Sequence, residues 1–451
     1  MVTNDFLQNE SLDDSESKLI RKQILDLSKQ YTEKIHSGGK FIPGKSIVPV
    51  SGKVFDFSDL QSLISSSLDF WLTTGRFNEE FEKQLSKFVG INFALTTNSG
   101  SSANLLAVSS LMSDELNERK LNPGDEVITL AAGFPTTINP ILQNNLIPKF
   151  IDIDLPTYSA LPEKIESAIT SKTKAIIFAH TLGNPFELDA ILEITKKNNL
   201  WLIEDCCDAL GSTYKNKHVG TFGDVATFSF YPAHQITMGE GGAVITNNPV
   251  FRRILESLRD WGRDCFCAPG KNDTCGKRFN WKLGDLPYGY DHKYTYSSIG
   301  YNLKITDMQA SIGLSQLQKL PEFIKIRQEN FEYLKTNLSK FSKYLILPIA
   351  TSNSSPSWFG FPILVTPDSP FSKNDLISFL SSKLIDTRPL FAGNLTKQPY
   401  LKNNDYKISG TLENTDLIMN NGFWIGVFPG LSKKMLDYVI LQFELFFEQF
   451  S

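Results

Sequence analysis

The sequence lacks several features that would place it in whole classes of protein. No apolar run reaches the roughly 18 residues of a membrane-spanning helix, and there is no repeat or low-complexity tract. The N-terminal segment MVTNDFLQNESLDDSES has neither the basic nor the apolar region of a secretory signal. A net charge of -4 leaves no broad basic surface. We therefore expect a cytoplasmic protein whose partners are neither nucleic acid nor membrane.

Cysteine is also scarce, and its five copies are clustered between Cys206 and Cys275. An odd, clustered set without a secretory signal favours metal or redox chemistry over disulfides. Cys207, Cys265, Cys267 and Cys275 form the pattern C-x57-C-x-C-x7-C. Four thiolates suit zinc or an iron–sulfur cluster, and spacing alone favours zinc. The remaining Cys206 is expected to be a small buried side chain.

The chain of 451 residues, 41% hydrophobic and 21% charged, suits two or three globular domains. Seven short apolar segments are predicted strands: FALTTNS, EVITLA, PKFIDID, KAIIFAHT, LWLIED, VATFSF and GAVITN. Helical patterns separate several of them: SSANLLAVSSLM, LPEKIESAIT and ELDAILEITKKNN. Such alternation predicts an α/β domain with a mostly parallel sheet, whose ligands bind at the carboxyl ends of the strands.

Three regions are predicted along the chain. Residues 1–80 form an N-terminal arm and connection, with a helix at ESKLIRKQILDLSKQYTEKI and an extended segment at KFIPGKSIVPVSGKVF. Residues 81–340 form the large α/β domain, which closes with a helix at KITDMQASIGLSQLQKL. Residues 341–451 form a smaller α+β domain from FGFPILV, NDLISFLSSKL and KKMLDYVILQFELFF.

Two motifs are weak when taken alone. TTNSGSSANLLA follows a strand and opens a helix, where Gly100, Ser101 and Ser102 could hold an anion or merely cap the helix. WLIEDCCDALGS places Asp205 and Asp208 after an apolar strand, where a carboxylate could meet a pyridine nitrogen or cap the next helix.

A third segment, ATFSFYPAHQITMGEGGAVITNN, is far more distinctive. It resembles the fold-type I, pyridoxal-phosphate-dependent sugar aminotransferases, in which a serine-containing strand and a lysine precede a GEGG-type turn. The resemblance implies an aspartate-aminotransferase-like fold. Here His234 stands where that family has its lysine, and no lysine occurs between Lys217 and Lys271. Imidazole moves protons but cannot hold the cofactor covalently, so we expect pyridoxamine phosphate to be held noncovalently.

The histidine and the cysteine pattern together resemble the iron–sulfur sugar-nucleotide 3-dehydrases of the CDP-6-deoxy-4-keto-glucose 3-dehydrase type. The similarity runs from about Lys40 to Phe450 and includes YDHKYTYSSIGYNLKITDMQA and IDTRPLFAGNLTKQP. It implies that the four thiolates hold a [2Fe–2S] cluster. It also implies a homodimer with shared sites and a flavin- and iron–sulfur-containing reductase fed by NADH or NADPH.

The resemblance assigns roles to individual residues. In catalysis it implies His234 as the base, oriented by Asp208 and Tyr231. For the substrate it implies Arg388 at the diphosphate and Phe359 at the sugar; a surface ion pair is an equal alternative for Arg388. The residues implied to hold the cofactor are Gly100, Ser101, Ser102 and Ser229 at the phosphate, Phe134 on the ring, Asp205 at the ring nitrogen, Asn184 at the ring hydroxyl and Asn302 at the phosphate of the partner subunit. Core packing is the alternative for Phe134.

The implied activity is C3 deoxygenation of a nucleotide-linked 4-keto-6-deoxyhexose, with the CDP-linked D-glucose derivative as the expected substrate. Its product would lead to 3,6-dideoxy sugars of lipopolysaccharide O-antigens. The nearest alternative is a cluster-free, pyridoxamine-phosphate-dependent GDP-4-keto-6-deoxymannose 3-dehydratase. An ordinary sugar aminotransferase and a catalytically inactive regulator are further alternatives.

Overall fold

The computed structural model describes residues 6–7, 14–36 and 39–450. Its centre is an eight-stranded sheet in which one strand, Gly242–Thr246, runs opposite to the other seven. In spatial order the strands are β1 (Phe93–Thr97), β9 (Gly242–Thr246), β8 (Val225–Ser229), β5 (Trp201–Asp205), β4 (Thr173–Ala179), β2 (Glu126–Leu130), β3 (Ile147–Ile151) and β13 (Lys407–Ile408).

Two smaller antiparallel sheets accompany the large one. The first lies towards the C-terminus and contains, in order, β10 (Leu345–Ile346), β12 (Gly360–Val365) and β14 (Gly422–Gly426). The second joins short strands of both halves of the chain: β11 (Ser354–Ser355), β6 (Thr213–Tyr214) and β7 (Lys217–His218).

Helices flank these sheets and supply most of the remaining core. In chain order they are α1 (Ser15–Ile35), α2 (Phe57–Asp69), α3 (Arg76–Val89), α4 (Gly100–Ser110), α5 (Pro135–Gln143), α6 (Pro162–Ala168), α7 (Leu188–Lys197), α8 (Pro249–Arg259), α9 (Asp307–Leu338), α10 (Lys373–Ser382), α11 (Glu413–Asn421) and α12 (Lys433–Phe447).

The prediction of a mostly parallel α/β sheet is confirmed. All seven predicted strand segments form strands, and all seven belong to the large sheet. Every residue of β2, β5, β8 and β9 is buried. Burial on both faces explains why these strands show continuous apolar runs rather than alternation.

The helix predicted at KITDMQASIGLSQLQKL is longer than its sequence pattern indicates. Proline normally ends a helix, so the pattern stops before Pro321, but α9 continues through that residue to Leu338. The later turns of α9 place Phe331 in the core of the small sheet, where its ring stacks on Trp358 at 3.8 Å between centroids. One helix therefore packs against both parts of the protein, and the division near residue 340 stays a prediction.

Two expectations concern the chain outside this core. Residues 1–5 and 8–13 of the predicted N-terminal arm lie outside the described residues. Within the part that the structure describes, no helix combines the length and apolar character needed to cross a membrane.

Candidate active site

A cavity of about 580 Å³ lies at the carboxyl ends of the central parallel strands. Asp205 ends β5, Ser229 ends β8, and Gly100 begins α4 close to both. Strand ends of this kind are where open α/β sheets bind ligands, because the connecting loops are free to carry functional side chains. The volume is in the range of small-molecule and cofactor sites.

The N-terminus of α4 forms one wall of this cavity. Ser99 is the N-cap and accepts a hydrogen bond from Ser102 N at 3.1 Å, while Ser99, Gly100 and Ser101 line the cavity. A Cβ at Gly100 would lie 2.4 Å from Ser229 Cβ and 3.1 Å from Cys207 Sγ, so only glycine fits. The free amides of the first turn suit a phosphate. Ser102 donates to the N-cap and does not line the cavity. Ser99 does line it and was not identified by the sequence analysis.

Phe134 precedes α5 and exposes half of its surface on the cavity wall. Its ring meets Phe391 edge-on at 6.1 Å between centroids, which holds the ring upright. An aromatic ring that is braced but uncovered can stack on a planar ligand. This placement favours the predicted stacking role over core packing.

Asp205 is held by three donors within the cavity floor. Its Oδ2 accepts from Asn104 Nδ2 at 2.9 Å and from Thr137 Oγ1 at 2.7 Å, and its Oδ1 accepts from Cys207 N at 3.1 Å. These bonds fix the carboxylate where it can meet a protonated ring nitrogen. Asn104 and Thr137 were not predicted, although a polar Asn104 within a buried helix is a signal of such a role.

His234 lies on the cavity wall with its ring stacked on Phe359 at 5.1 Å between centroids. Burial lowers the pKa of His234 to about 4, although a hydrogen bond with the Cys207 backbone opposes this. Burial, helped by the charge of Asp205, raises the pKa of Asp208 to about 8. His234 Nδ1 is 3.6 Å from Asp208 Oδ1, too far for a hydrogen bond. Burial therefore favours the neutral form of both groups, and a neutral imidazole can accept a proton.

Two buried side chains fix the segment that carries His234. Arg327 of α9 donates to His234 O and Trp358 O, each at 3.1 Å, and burial lowers the pKa of Arg327 to about 9. Gln235 Nε2 donates to Ser357 O at 2.9 Å and to Asp208 O. These bonds tie the turn to the small sheet and to the segment after β5. The sequence analysis identified neither residue, because their partners are distant in the chain.

Four more predicted residues reach the same cavity. Asp208 and Tyr231 lie on its wall, and half of the Tyr231 side chain is exposed. Phe359 forms the floor below His234. Arg388 is exposed at the rim, where a charged ligand group could reach it.

Two predicted cofactor residues do not reach it. Asn184 is buried and donates to Thr157 O and Ile349 O, while its Oδ1 accepts from Thr351 N. These bonds hold the neighbouring loops together, and the predicted contact of Asn184 with a ring hydroxyl stays a prediction. Asn302 is exposed and outside the cavity of its own chain. Its predicted role at a partner subunit stays a prediction.

The four predicted cluster ligands do not meet within one described chain. Cys265, Cys267 and Cys275 line one small cavity together with His292. Cys207 instead lines the cofactor cavity, and no residue lines both. Burial raises the pKa of Cys207, followed by the charges of Asp205 and Asp208. Within one described chain, three of the four thiols that the resemblance implies therefore share a cavity, and the cluster itself stays a prediction.

Cys206, by contrast, is fully buried in the main core, as predicted. Its thiol lies near His180 and Glu204, and these three groups are close enough to hold a metal ion. The Glu204 carboxylate already accepts hydrogen bonds from Gly220 N, Phe222 N and Gly223 N. These bonds occupy its lone pairs, so the group serves as a packing element.

Comparison with known proteins places the chain in a family. The model of the DegT/DnrJ/EryC1/StrS aminotransferase family matches residues 56–444. Lipopolysaccharide biosynthesis protein RfbH of Salmonella typhimurium is 58% identical over 428 residues, 95% of this chain and 98% of that protein. The dTDP-4-dehydro-2,6-dideoxy-D-glucose 3-dehydratase of Saccharopolyspora spinosa is 51% identical over 400 residues, 89% of this chain and 86% of that protein.

A solved structure of a sugar-nucleotide dehydratase is also similar to this chain. E. coli GDP-4-keto-6-deoxy-D-mannose-3-dehydratase with bound hydrated PLP aligns with a TM-score of 0.79 and 32% identity, covering 88% of this chain and 98% of that one. The fold-type I architecture and the cavity at the strand ends agree with this likeness. The chain belongs to the DegT/DnrJ/EryC1/StrS aminotransferase family.

Proposed function

We propose that this protein removes the C3 hydroxyl of a nucleotide-linked 4-keto-6-deoxyhexose in the cytoplasm, using pyridoxamine phosphate. One observation carries the proposal: His234 lies on the cavity wall, and no lysine lines that cavity within the described part of the chain. A cofactor in this cavity has no amine to bind covalently, whereas the imidazole beside it can move a proton. That combination favours elimination over amino transfer.

The cavity residues fit pyridoxamine phosphate. The α4 N-terminus and Ser229 would hold its phosphate, Phe134 would stack on its ring, and Asp205 would keep a proton on its ring nitrogen. When bound, the cofactor supplies an amine that condenses with the substrate ketone and a ring that accepts electrons. His234 would take the proton from the cofactor C4′ carbon. Asp208 and Tyr231 would orient these groups.

The substrate class rests on the rim of the cavity and on the relatives. Arg388 is placed to bind a diphosphate, and the apolar Phe359 beneath His234 suits a deoxygenated sugar. The relatives' names refer to lipopolysaccharide biosynthesis and to a dTDP-linked sugar. We propose the CDP-linked 4-keto-6-deoxy-D-glucose as the first substrate to test.

Reductive completion of the reaction requires two electrons. We propose that a [2Fe–2S] cluster held by Cys207, Cys265, Cys267 and Cys275 delivers them singly from an NAD(P)H-dependent flavin and iron–sulfur reductase. Three of these thiols already converge, which supports the proposal. The position of Cys207 on the cofactor cavity would place such a cluster next to the reacting groups.

We further propose that the protein is a homodimer with shared sites. Asn302 is exposed and would contact the cofactor phosphate in the partner subunit. The exposed large side chains near it, including Tyr296 and Ile299, support burial of this surface in a dimer.

A cluster-free dehydratase is the second candidate. It is favoured by the likeness to the GDP-4-keto-6-deoxy-D-mannose-3-dehydratase structure and by the separation of Cys207 from the other three thiols in one chain. Such an enzyme would need no reductase, because a second amine donor would regenerate the cofactor.

Anaerobic reconstitution with iron and sulfide, followed by turnover, tests the two candidates. The protein is incubated with CDP-, GDP- and dTDP-linked 4-keto-6-deoxyhexoses, with and without the reductase. After reconstitution we expect visible sulfide-to-iron absorption. We expect a 3-deoxy product only when the reductase is present. A colourless protein that forms product with glutamate alone would establish the second candidate. An aminated sugar as the product would refute both.

A further inference from the structure

The three loop cysteines belong to a folded unit, here called the cysteine loop, that spans residues 261–302. Trp261 N donates to Tyr301 O, Ser297 N donates to Gly262 O, and Asp264 N donates to Thr295 O. A Cβ at Gly262 would lie 1.8 Å from Ser298 O, which shows how closely the two ends of the loop pack. These contacts close the two ends of the loop on each other and keep Asn302 at its base.

The thiols inside this loop already face one another. Cys267 N donates to Cys265 Sγ at 3.4 Å, and the two thiols share a small cavity with Cys275. Cys275 Sγ lies 3.5 Å from His292 Nδ1, and His292 Nε2 lies 2.8 Å from Asp264 Oδ2. A cluster with four cysteine ligands needs one more thiolate at this position.

Cys207 is held at the centre of the large sheet of its own chain. It directly follows β5, which lies between β4 and β8 in the centre of the large sheet. Its backbone N–H is bonded to Asp205, and its Sγ lies against the start of α4. Cys207 therefore lines the cavity at the strand ends and not the small cavity of the three loop thiols.

The surface of the cysteine loop indicates what approaches it instead. Phe266, Tyr294, Tyr296 and Ile299 are 63%, 57%, 52% and 96% exposed in the single chain. Large apolar side chains clustered in this way mark a surface that another molecule covers. A second copy of the chain would offer Cys207 as the missing ligand, because Cys207 lies in an open cavity.

We propose that each cluster bridges two subunits, with Cys265, Cys267 and Cys275 from one and Cys207 from the other. This deepens the function proposed above and rests on its dimer and its cluster. The position of Asn302 at the base of the loop supports it, because both would enter the same partner site. Each active site would then be completed by a cysteine loop that is not its own.

Hybrid dimers distinguish a cluster that bridges two subunits from a cluster whose four ligands belong to one subunit. One subunit carries Cys207→Ser and the other Cys267→Ser, each with a different affinity tag, and the doubly tagged dimer is purified and reconstituted anaerobically. In the bridged arrangement one site contains both defects and the other contains neither. We expect about half of the wild-type iron and about half of the visible and electron paramagnetic resonance signal. Each parent homodimer should contain none, and Cys206→Ser should keep the full amount.

The outcomes are distinct. A hybrid without iron, beside an iron-loaded wild type, would overturn the bridge and place all four ligands in one chain. The bridge would also be overturned if the Cys207→Ser homodimer kept its iron and lost it when His292→Ala was added. His292 would then be the fourth ligand. A wild-type protein that binds no iron would refute the cluster of the proposed function. Circular dichroism and retained pyridoxamine phosphate confirm that each variant is folded.

Discussion

At the scale of single residues, the proposed chemistry depends most on His234. His234→Asn keeps the size and polarity of the side chain but removes the base, so pyridoxamine phosphate should still bind. Release of the C4′ proton to solvent, measured with substrate and without reductase, should fall by about 10²–10⁴-fold. His218→Asn is the matched control, because His218 lies on β7 outside the cavity. Undiminished exchange in His234→Asn would assign the base to Tyr231 or Asp208.

The proposed site of the cofactor phosphate depends on the small size of Gly100. In Gly100→Ala the new methyl group would meet Ser229 Cβ at 2.4 Å, so either α4 or Ser229 must move. We expect the dissociation constant of pyridoxamine phosphate, measured by fluorescence titration, to rise by at least about tenfold, equivalent to ~1.4 kcal/mol. Gly39→Ala, which meets no atom within 4 Å, should leave the constant unchanged. Equal affinity of both variants would contradict the phosphate assignment.

The sequence predicts those site residues that follow a strand or open a helix. Asp205, Ser229 and Gly100 could be located because strand ends and helix starts carry recognisable patterns. Arg327 could not, since its partners His234 and Trp358 come together only through packing of α9. The bonds of Asn184 could not be predicted for the same reason, because its backbone partners lie on two remote segments.

At the scale of elements, Glu126 joins three strands of the large sheet. This buried residue begins β2, and its carboxylate accepts from Lys407 of β13 at 2.6 Å and from Lys149 of β3 at 3.1 Å. Burial acts to raise the pKa of Glu126, but the hydrogen bonds from Lys407, Thr170 and Lys149 outweigh it and lower the pKa to about 2. The ionised carboxylate is therefore more stable in the folded protein than in the unfolded chain.

The contribution of Glu126 to the free energy of unfolding should therefore depend on pH. The contribution of Glu126 to stability is complete above the unfolded pKa of roughly 4.5 and is lost as the pH falls towards 2. Glu126→Gln should lower the free energy of unfolding by about 1–3 kcal/mol at pH 7, measured by urea denaturation. The difference from wild type should shrink below pH 4. A difference that is constant from pH 7 to pH 3 would show that the charge is not responsible.

Helix α9 links the small sheet to the catalytic turn through Arg327. Arg327→Met removes the donors to His234 O and Trp358 O without opening a large cavity. We expect kcat to fall at least tenfold with little change in KM, and C4′ proton release to slow equally. Arg327→Lys should keep only part of the wild-type kcat, because one ammonium group cannot reproduce the planar set of guanidinium donors. A change confined to thermal stability would limit Arg327 to a structural role.

Strands could be predicted from the sequence where burial on both faces produces a run of several apolar residues. The fully buried strands β2, β5, β8 and β9 were each found as apolar runs. Strands of two residues, such as β6, β7 and β13, contain too few positions for any periodicity and were missed. The end of α9 was placed too early because Pro321 is compatible with a helix that tertiary packing supports on both sides.

At the scale of the whole molecule, activity should depend on subunit association. Asn302→Ala should weaken retention of pyridoxamine phosphate during gel filtration while the single-chain fold stays intact. Dilution of the wild type below the dimer dissociation constant should abolish turnover and cofactor retention together, as followed by mass photometry and absorbance. Full activity from monomers would refute the shared site.

The absence of lysine from the cofactor cavity, within the described chain, has a consequence for physiology. A cofactor without a covalent bond behaves as a dissociable ligand, so the occupied fraction of the protein follows the ratio of free cofactor to its dissociation constant. Supply of the vitamin B6 pool would then set how much of this protein is active. Sugar output could rise and fall with nutrient status without any change in the amount of enzyme.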